Sequence, residues 1–167
     1  MEILDLYDKH GNRTGETIER GRPMPDGRFF LIVDAWIINS KGEILISRRS
    51  AGTYPDPGKW QPTCGCAVAG EDSKTAAMRE IMEELGIELD PESGKLIKRF
   101  TAWDKAIIDV WLFKKDVDLS DIIYQEAETD DAIWAEAECI LQMAEDGRFL
   151  SSQRLPYIRE LADKYIV

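Results

Sequence analysis

Three glutamates crowd into one short segment near the middle of the chain: Glu80, Glu83 and Glu84 lie within five residues of one another. In an α-helix, which turns by about 100° per residue, their side chains would share an arc of about 100° on one face. Oxygen ligands on a rigid face favour hard cations such as Mg²⁺ or Mn²⁺ over zinc or copper. Cations held in this way neutralise phosphate groups and polarise an attacking water. The pattern therefore predicts metal-assisted chemistry on a phosphate compound.

The segment that carries these glutamates has the features of a helix. Asp72 or Ser73 can cap its start, and Gly86 suits the left-handed residue after its end. The apolar residues expected on the inward face are Ala77, Met78, Ile81, Met82 and Leu85. A solvated acidic face is the ordinary explanation of such a charge run. However, Glu80 and Glu84 stand at i,i+4 with no lysine on their face, and like charges at that spacing destabilise a helix. The spacing favours a cation site.

The residues around the glutamates form a longer pattern. Gly65 is followed after five residues by Glu71, and after seven more by the run REIMEELGI, which begins at Arg79. This stretch, residues 65–87, resembles the signature of the Nudix hydrolases and matches it at every fixed position. The resemblance implies that residues 1–167 form one domain of the mixed α/β (α+β) class. Its expected architecture is an α/β/α sandwich, in which helices cover both faces of a mixed β-sheet. It also implies hydrolysis of a P–O–P bond in a nucleoside-diphosphate-linked or related small metabolite, with Mg²⁺ or Mn²⁺ as cofactor.

The resemblance also implies roles for single residues of this stretch. The expected metal ligands are the carboxylates of Glu80, Glu83 and Glu84 and a main-chain carbonyl of Cys64 or Gly65. The carbonyls would come from a loop before the helix, expected from Gly65 to Gly70. Glu71 and Arg79 would pair and hold that loop against the helix, a supporting role in catalysis.

Three arginines are candidates for contact with phosphate, since the guanidinium group is suited to bidentate contact. Arg48 and Arg49 end a predicted strand, and Arg22 follows a predicted N-terminal hairpin. Because side chains alternate along a strand, at most one of Arg48 and Arg49 can face the substrate. Ordinary solvated arginines are the alternative, since most arginines in proteins are exposed.

The attacking water also needs a general base. Glu83 is one candidate. A later loop, Gln125 to Asp130, offers two more in Glu126 and Glu128. For each of these carboxylates, the alternative is that it is a solvated surface group with no role in catalysis. Geometry decides such roles, so the sequence leaves the choice of base open.

A second, looser resemblance covers most of the chain. Its main stretches are LYD from Leu6, ILISRRS from Ile44 and PGKW from Pro57. They resemble the branch of Nudix proteins related to isopentenyl-diphosphate isomerase, which needs a catalytic cysteine and a histidine-rich metal site. Cys64 can be aligned with that cysteine, but Cys66 stands where a histidine ligand is expected and the only histidine is His10. Hydrolysis is therefore favoured over isomerisation. The intact carboxylates disfavour a third possibility, a non-catalytic diphosphate-binding module.

The composition limits the partners. With 32 acidic and 21 basic residues, the net charge is −11, which disfavours nucleic acid and acidic membrane surfaces as partners. A small anionic substrate then needs local arginines or bound metal. Three cysteines and one histidine are too few for a zinc site and fit a reducing cytoplasm, and no secretory leader is visible. Monomer and homodimer both remain open.

The remaining elements follow from apolar runs and turn residues. We expect a β-hairpin at about residues 2–20. Further strands are expected at residues 29–39, 43–49, 95–102, 106–114 and, briefly, 132–134. Two helices are expected near the end of the chain, at residues 136–145 and 154–164.

Overall fold

The structure is a computed structural model and describes residues 1–150 and 157–161. The strands are β1 (Ile3–Tyr7), β2 (Arg13–Glu19), β3 (Phe30–Ile38), β4 (Ile44–Arg49), β5 (Trp60–Gln61), β6 (Thr63–Cys66), β7 (Gly94–Ala102), β8 (Ala106–Lys114) and β9 (Thr129–Ala135). The α-helices are α1 (Ser73–Leu85) and α2 (Ala137–Glu145). Residues 157–161 are also helical. In the described part of the chain, no helix is long and apolar enough to cross a membrane.

The main sheet is mixed, as predicted. Its central strands β3 and β8 run parallel, whereas the other pairings are antiparallel. Strand β4 pairs with β3 only at Ile37 and Ile38. Strand β6 takes the edge of β3 from Ile32 to Ala35. The edge of β3 is thus shared between β4 and β6, and both strands reach the cavity described below. Strands β1 and β2 form a separate hairpin.

Two hydrophobic cores lie on opposite faces of this sheet, because side chains alternate along the central strands. One core packs Val33, Ala35 and Ile37 of β3 against α1. The other packs Trp36 of β3 against α2 and Ile158. This arrangement confirms the predicted α/β/α sandwich.

Helix α1 begins and ends where its capping residues predict. Asp72 is the N-cap, and its Oδ1 accepts a hydrogen bond from the Thr75 backbone N–H at 2.7 Å. Gly86 closes the helix in the left-handed conformation, with φ of 66°. Met82 was expected on the inward face, but 43% of it is exposed. Glu84 is buried instead, because its side chain faces the interior of the domain.

Other elements differ from the sequence prediction. Gly65 belongs to strand β6 and not to a loop, because Thr63–Cys66 pairs with β3. Strand β9 runs over Thr129–Ala135, longer than predicted, because it pairs along β4. The helix predicted at residues 154–164 extends beyond the described residues at both ends, and residues 157–161 of it are helical.

Candidate active site

Arg79 of α1 connects the acidic residues of the helix to the end of strand β6. Its Nε donates to Glu71 Oε1 at 2.8 Å, and its Nη1 donates to Glu80 Oε1 at 2.9 Å and Glu83 Oε2 at 3.0 Å. Its Nη2 donates to the Cys66 carbonyl at 3.0 Å. The hydrogen bond to Glu71 is the largest cause of the raised pKa of Arg79, and the charges of Glu80 and Glu71 add to it. The expected pair of Glu71 and Arg79 is present, and it holds the segment after β6 against α1.

Glu80 lies directly against the backbone of β6. A Cβ atom on Gly65 would approach the Glu80 carboxylate to well under 3.0 Å, a distance that real Cβ atoms essentially never show. Only glycine leaves room for this carboxylate beside the strand. Burial raises the pKa of Glu80 to about 7, against the opposing effect of the Arg79 cation.

Glu84 is the most deeply buried of the three clustered glutamates. The residue is 3% exposed, and within the described residues its Oε2 has no hydrogen-bond partner. Burial raises its pKa well above the usual range, the charges of Glu80 and Glu128 add to this, and Arg49 opposes it. A buried carboxylate without a partner is costly, and a bound cation removes that cost.

The chemistry of this set of groups fits a hard divalent cation. Carboxylate oxygens are the ligands that Mg²⁺ and Mn²⁺ prefer, and Glu84 presents a buried oxygen that has no partner in the described part of the chain. Among the described residues, however, no three His, Cys, Asp or Glu side chains converge closely enough to hold an ion as they stand. Arg79 holds Glu80 and Glu83. A cation would therefore have to compete with Arg79 for these two carboxylates.

A cavity of about 570 Å³ opens beside these residues, and we call it the carboxylate cavity. Its wall includes the polar and charged side chains of Arg20, Arg49, Cys64, Glu84 and Glu128. Gly65 and Cys66 of β6 also line it. It thus brings together residues of β4, β6 and α1 and of the loop before β9. Of the predicted bases, Glu128 lines the cavity, whereas Glu83 is bound to Arg79.

The structure separates the two adjacent arginines of β4. Arg49 lines the carboxylate cavity, and its Nη1 donates to Gln61 Oε1 at 3.0 Å. Arg48 lies elsewhere: its Nε is 2.7 Å from Asp130 Oδ1, and its guanidinium stacks over Trp60. Arg48 is therefore not brought to the site. Arg22 is also absent from this cavity and lines a neighbouring one.

Three residues of the carboxylate cavity were missed in the sequence. Arg20 lines it, and its side chain is 56% exposed. Tyr54 and Trp103 also line it although they are 92% and 52% exposed, and exposed aromatic groups at a cavity often mark binding surfaces. Arg20 follows the last residue of β2, and Tyr54 and Trp103 lie in a bend and a turn. The two-residue periodicity of a strand therefore gave no signal for any of them.

Comparison with known proteins gives the same family as the sequence pattern. A family model described as the NUDIX domain matches residues 28–154. An uncharacterized Nudix hydrolase of Listeria monocytogenes is 35% identical over 151 residues, which are 90% of this chain and 89% of that protein. An isopentenyl-diphosphate Delta-isomerase of Streptomyces coelicolor is 34% identical over 86 residues, only 51% of this chain and 44% of the isomerase.

Solved structures show the same fold. A protein of Deinococcus radiodurans superposes with a TM-score of 0.79 at 24% identity, covering 95% of this chain and 98% of that one. An Ap4A hydrolase of C. elegans superposes with a TM-score of 0.59 at 22% identity, covering 80% of this chain and 96% of that one. At these identities the likeness concerns the fold alone.

Proposed function

This chain belongs to the Nudix family and is a pyrophosphohydrolase of that type, and from that premise we propose that it uses Mg²⁺ or Mn²⁺ to split the P–O–P bond of a small nucleoside-diphosphate-linked or related metabolite. The buried carboxylate of Glu84 carries the metal part of the proposal. Its Oε2 has no partner in the described residues, and it lies near Glu80 and Glu128. A buried carboxylate close to two other carboxylates needs a positive charge, which a hard cation supplies.

Each residue of the site has one task in this reaction. Glu80, Glu83 and Glu84 hold the cation, together with a main-chain carbonyl of Cys64 or Gly65. When bound, the cation neutralises the diphosphate and lowers the pKa of water. Arg79 keeps Glu71 and the end of β6 in place, so that the ligands keep their positions.

The protein also supplies groups for the substrate and the water. Arg49 faces the carboxylate cavity, where its guanidinium stabilises the charge that develops on the phosphoryl oxygens. Glu128 accepts the proton of the attacking water. We assign this role to Glu128 because it lines the same cavity as Glu84, whereas Glu83 is bound to Arg79 and does not line that cavity.

The test compares two glutamates of the same region. Wild type is incubated with Mn²⁺ and a panel of nucleoside-diphosphate-linked compounds, and the two monophosphate products of P–O–P cleavage are measured by chromatography. Glu84→Gln keeps the shape of the side chain but removes its charge, so it should lose Mn²⁺ binding and at least about a hundredfold in turnover. Glu88→Gln is the control, because Glu88 is an exposed residue just beyond α1. Equal Mn²⁺ affinity in Glu84→Gln and wild type would contradict the proposed metal site.

The cavity also supports a second candidate, the isomerisation of isopentenyl diphosphate. The observation that favours it is the position of Cys64, which lines the cavity beside Glu84. Cys66 stands where the isomerases are expected to have a histidine ligand, which favours hydrolysis. The two reactions are separated by Cys64→Ala, which should abolish isomerisation but leave Mn²⁺-dependent cleavage of the P–O–P bond in place.

The proposed substrate is a small molecule and not nucleic acid or a membrane surface, because the net charge is −11. Within the described residues, none of the three cysteines forms a disulfide, which fits the cytoplasm as the proposed location.

A further inference from the structure

A second cavity lies beside the carboxylate cavity. It has a volume of about 510 Å³, and we call it the hairpin cavity because β1, β2 and the residues that follow β2 supply most of its wall. Arg20, Ile32 and Cys66 line both cavities. The two cavities therefore meet at these three residues and form one cleft with two compartments.

The wall of the hairpin cavity is built largely outside the part of the chain that matches the family. The family match begins at residue 28, whereas this wall includes Leu4, Ile18, Arg20, Arg22 and Met24. The residues proposed for metal binding and catalysis all lie within residues 28–154. A segment that borders the reaction site but supplies none of the metal ligands or catalytic groups is suited to selecting the substrate.

The floor of the hairpin cavity is apolar. Leu4 is 3% exposed, and Ile18, Met24 and Phe30 are partly buried around it. Small-molecule sites in proteins are mostly lined by such side chains, with a few polar groups that set orientation. The floor suits a hydrocarbon or flat apolar body of a ligand.

The rim of the same cavity is basic, although the whole chain is strongly acidic. Arg20, Arg22 and Lys105 line it, against one carboxylate, Glu19. Glu19 pairs with Arg22 at 3.4 Å, but Arg22 is 68% exposed and such surface pairs are weak. The rim therefore favours a negatively charged group.

Arg20 stands at the junction of the two compartments. In the described residues its side chain donates a hydrogen bond only to Glu2, from Nη1 at 2.6 Å. A guanidinium has five N–H donors, so most of those of Arg20 are available to a ligand. A diphosphate held in the carboxylate cavity would meet this cation on its way to the hairpin cavity.

We propose that the hairpin cavity binds the organic group of the substrate, and that this group has an apolar body and a further anionic end. The proposal rests on the proposed diphosphate hydrolysis. The apolar body lies on Ile18, Met24 and Phe30, the anionic end reaches Arg22 and Lys105, and Arg20 contacts the diphosphate at the junction.

Three diphosphate monoesters test this assignment: methyl diphosphate, hexyl diphosphate and 5-carboxypentyl diphosphate, each assayed with Mn²⁺ for kcat and KM. The hexyl chain adds apolar surface and the carboxypentyl chain adds an anion at its end. We expect kcat/KM to rise by about tenfold from methyl to hexyl, since each buried methylene is favourable. It should rise again, by about fivefold, from hexyl to carboxypentyl.

Variants assign each gain to its part of the cavity. Ile18→Trp fills the floor and should remove the advantage of hexyl over methyl diphosphate. Met24→Trp is the second variant, to be used if Ile18→Trp does not fold. Replacing Arg22 and Lys105 together by glutamine should remove the advantage of the carboxypentyl ester over hexyl. Arg28→Gln is the control, because Arg28 pairs with Glu16 and lines neither cavity.

The outcomes separate this inference from the proposed function. If wild type hydrolyses none of the esters and no nucleoside-diphosphate-linked compound, the proposed function fails. If wild type hydrolyses all three esters at equal kcat/KM, or if the filled-floor variant keeps the preference for hexyl, the hydrolase stands and the hairpin cavity is not the substrate compartment.

Discussion

Gly65 of β6 and Glu80 of α1 are packed so closely that no side chain fits between them: a Cβ on Gly65 would lie well inside 3.0 Å of the Glu80 carboxylate. The contact joins the strand that would offer main-chain carbonyls to the helix that carries the carboxylates. The spacing of fifteen positions between these residues in the sequence thus corresponds to one direct contact in space.

Gly65→Ala should therefore displace Glu80 and disturb the site. We expect turnover to fall by at least about a hundredfold and Mn²⁺ affinity to fall with it, as when groups that support metal ligands are changed. Isothermal titration measures the Mn²⁺ affinity, and the rate at which the monophosphate products form measures the turnover. Gly52→Ala is the control for Mn²⁺ affinity, because Gly52 lines the cavity but an added Cβ there meets nothing within 4 Å. Equal Mn²⁺ affinity in Gly65→Ala and Gly52→Ala would show that the contact does not matter.

Arg79→Lys should weaken the site although it keeps the charge. Lysine lacks the planar fork with which Arg79 reaches Glu71, Glu80 and the Cys66 carbonyl at once. We expect a loss of about 1–3 kcal/mol in the free energy of unfolding, from hydrogen bonds to charged groups, and a clear fall in turnover. Thermal unfolding measures the loss of stability, and steady-state kinetics measures the fall in turnover. Arg48→Lys, which alters a pair with Asp130 outside the cavity, should have little effect on either, and an equal effect of the two changes would contradict the prediction.

The stability of the metal-free protein should fall as pH rises from about 4.5 to about 7. Burial raises the pKa of Glu80 from its ordinary 4.5 to about 7, so in this range the folded state binds more protons than the unfolded state. Stability then decreases with pH, by up to about 3 kcal/mol for this group. Glu84, whose pKa is also raised, acts in the same direction.

Urea unfolding of the metal-free protein at pH 5 and pH 8 measures this effect. Glu80→Gln should reduce the difference between the two pH values, because glutamine does not titrate. Mn²⁺ competes with protons for the carboxylates, so its affinity should rise across the same range. Greater stability at pH 8 than at pH 5 in the metal-free wild type would show that the sign is wrong.

Glu128→Gln should lose about a hundredfold to ten-thousandfold in kcat and still bind Mn²⁺, because the proposed role of Glu128 is to take a proton and not to hold the cation. Glu83→Gln should instead weaken Mn²⁺ binding. Kinetics at saturating Mn²⁺ and titration of the metal separate the two. Glu126→Gln is the matched control, since Glu126 is an exposed carboxylate in the same loop that does not line the cavity. If Glu126→Gln loses more turnover than Glu128→Gln, the base is assigned to the wrong residue.

Local features determined much of this protein from the sequence alone. Helix α1 was predicted within one residue because its cap at Asp72 and its end at Gly86 are local interactions. The central strands β3 and β8 were predicted because apolar runs mark strands that are covered on both faces. The family followed from the spacing between Gly65 and Ile87, since a fixed set of residues over one strand, one loop and one helix is visible in the chain itself.

The tertiary structure decided what depends on contacts between distant segments. Strand β6 has no apolar run, and it forms only because it pairs with the free edge of β3. The choice between Arg48 and Arg49 depends on which face of β4 borders the cavity, which alternation alone does not give. The burial of Glu84 and the position of Arg20 between two cavities likewise arise from packing. Spacing along the chain determines which groups share a helix face, but only the packing of strands and helices determines which of them meet in one cleft.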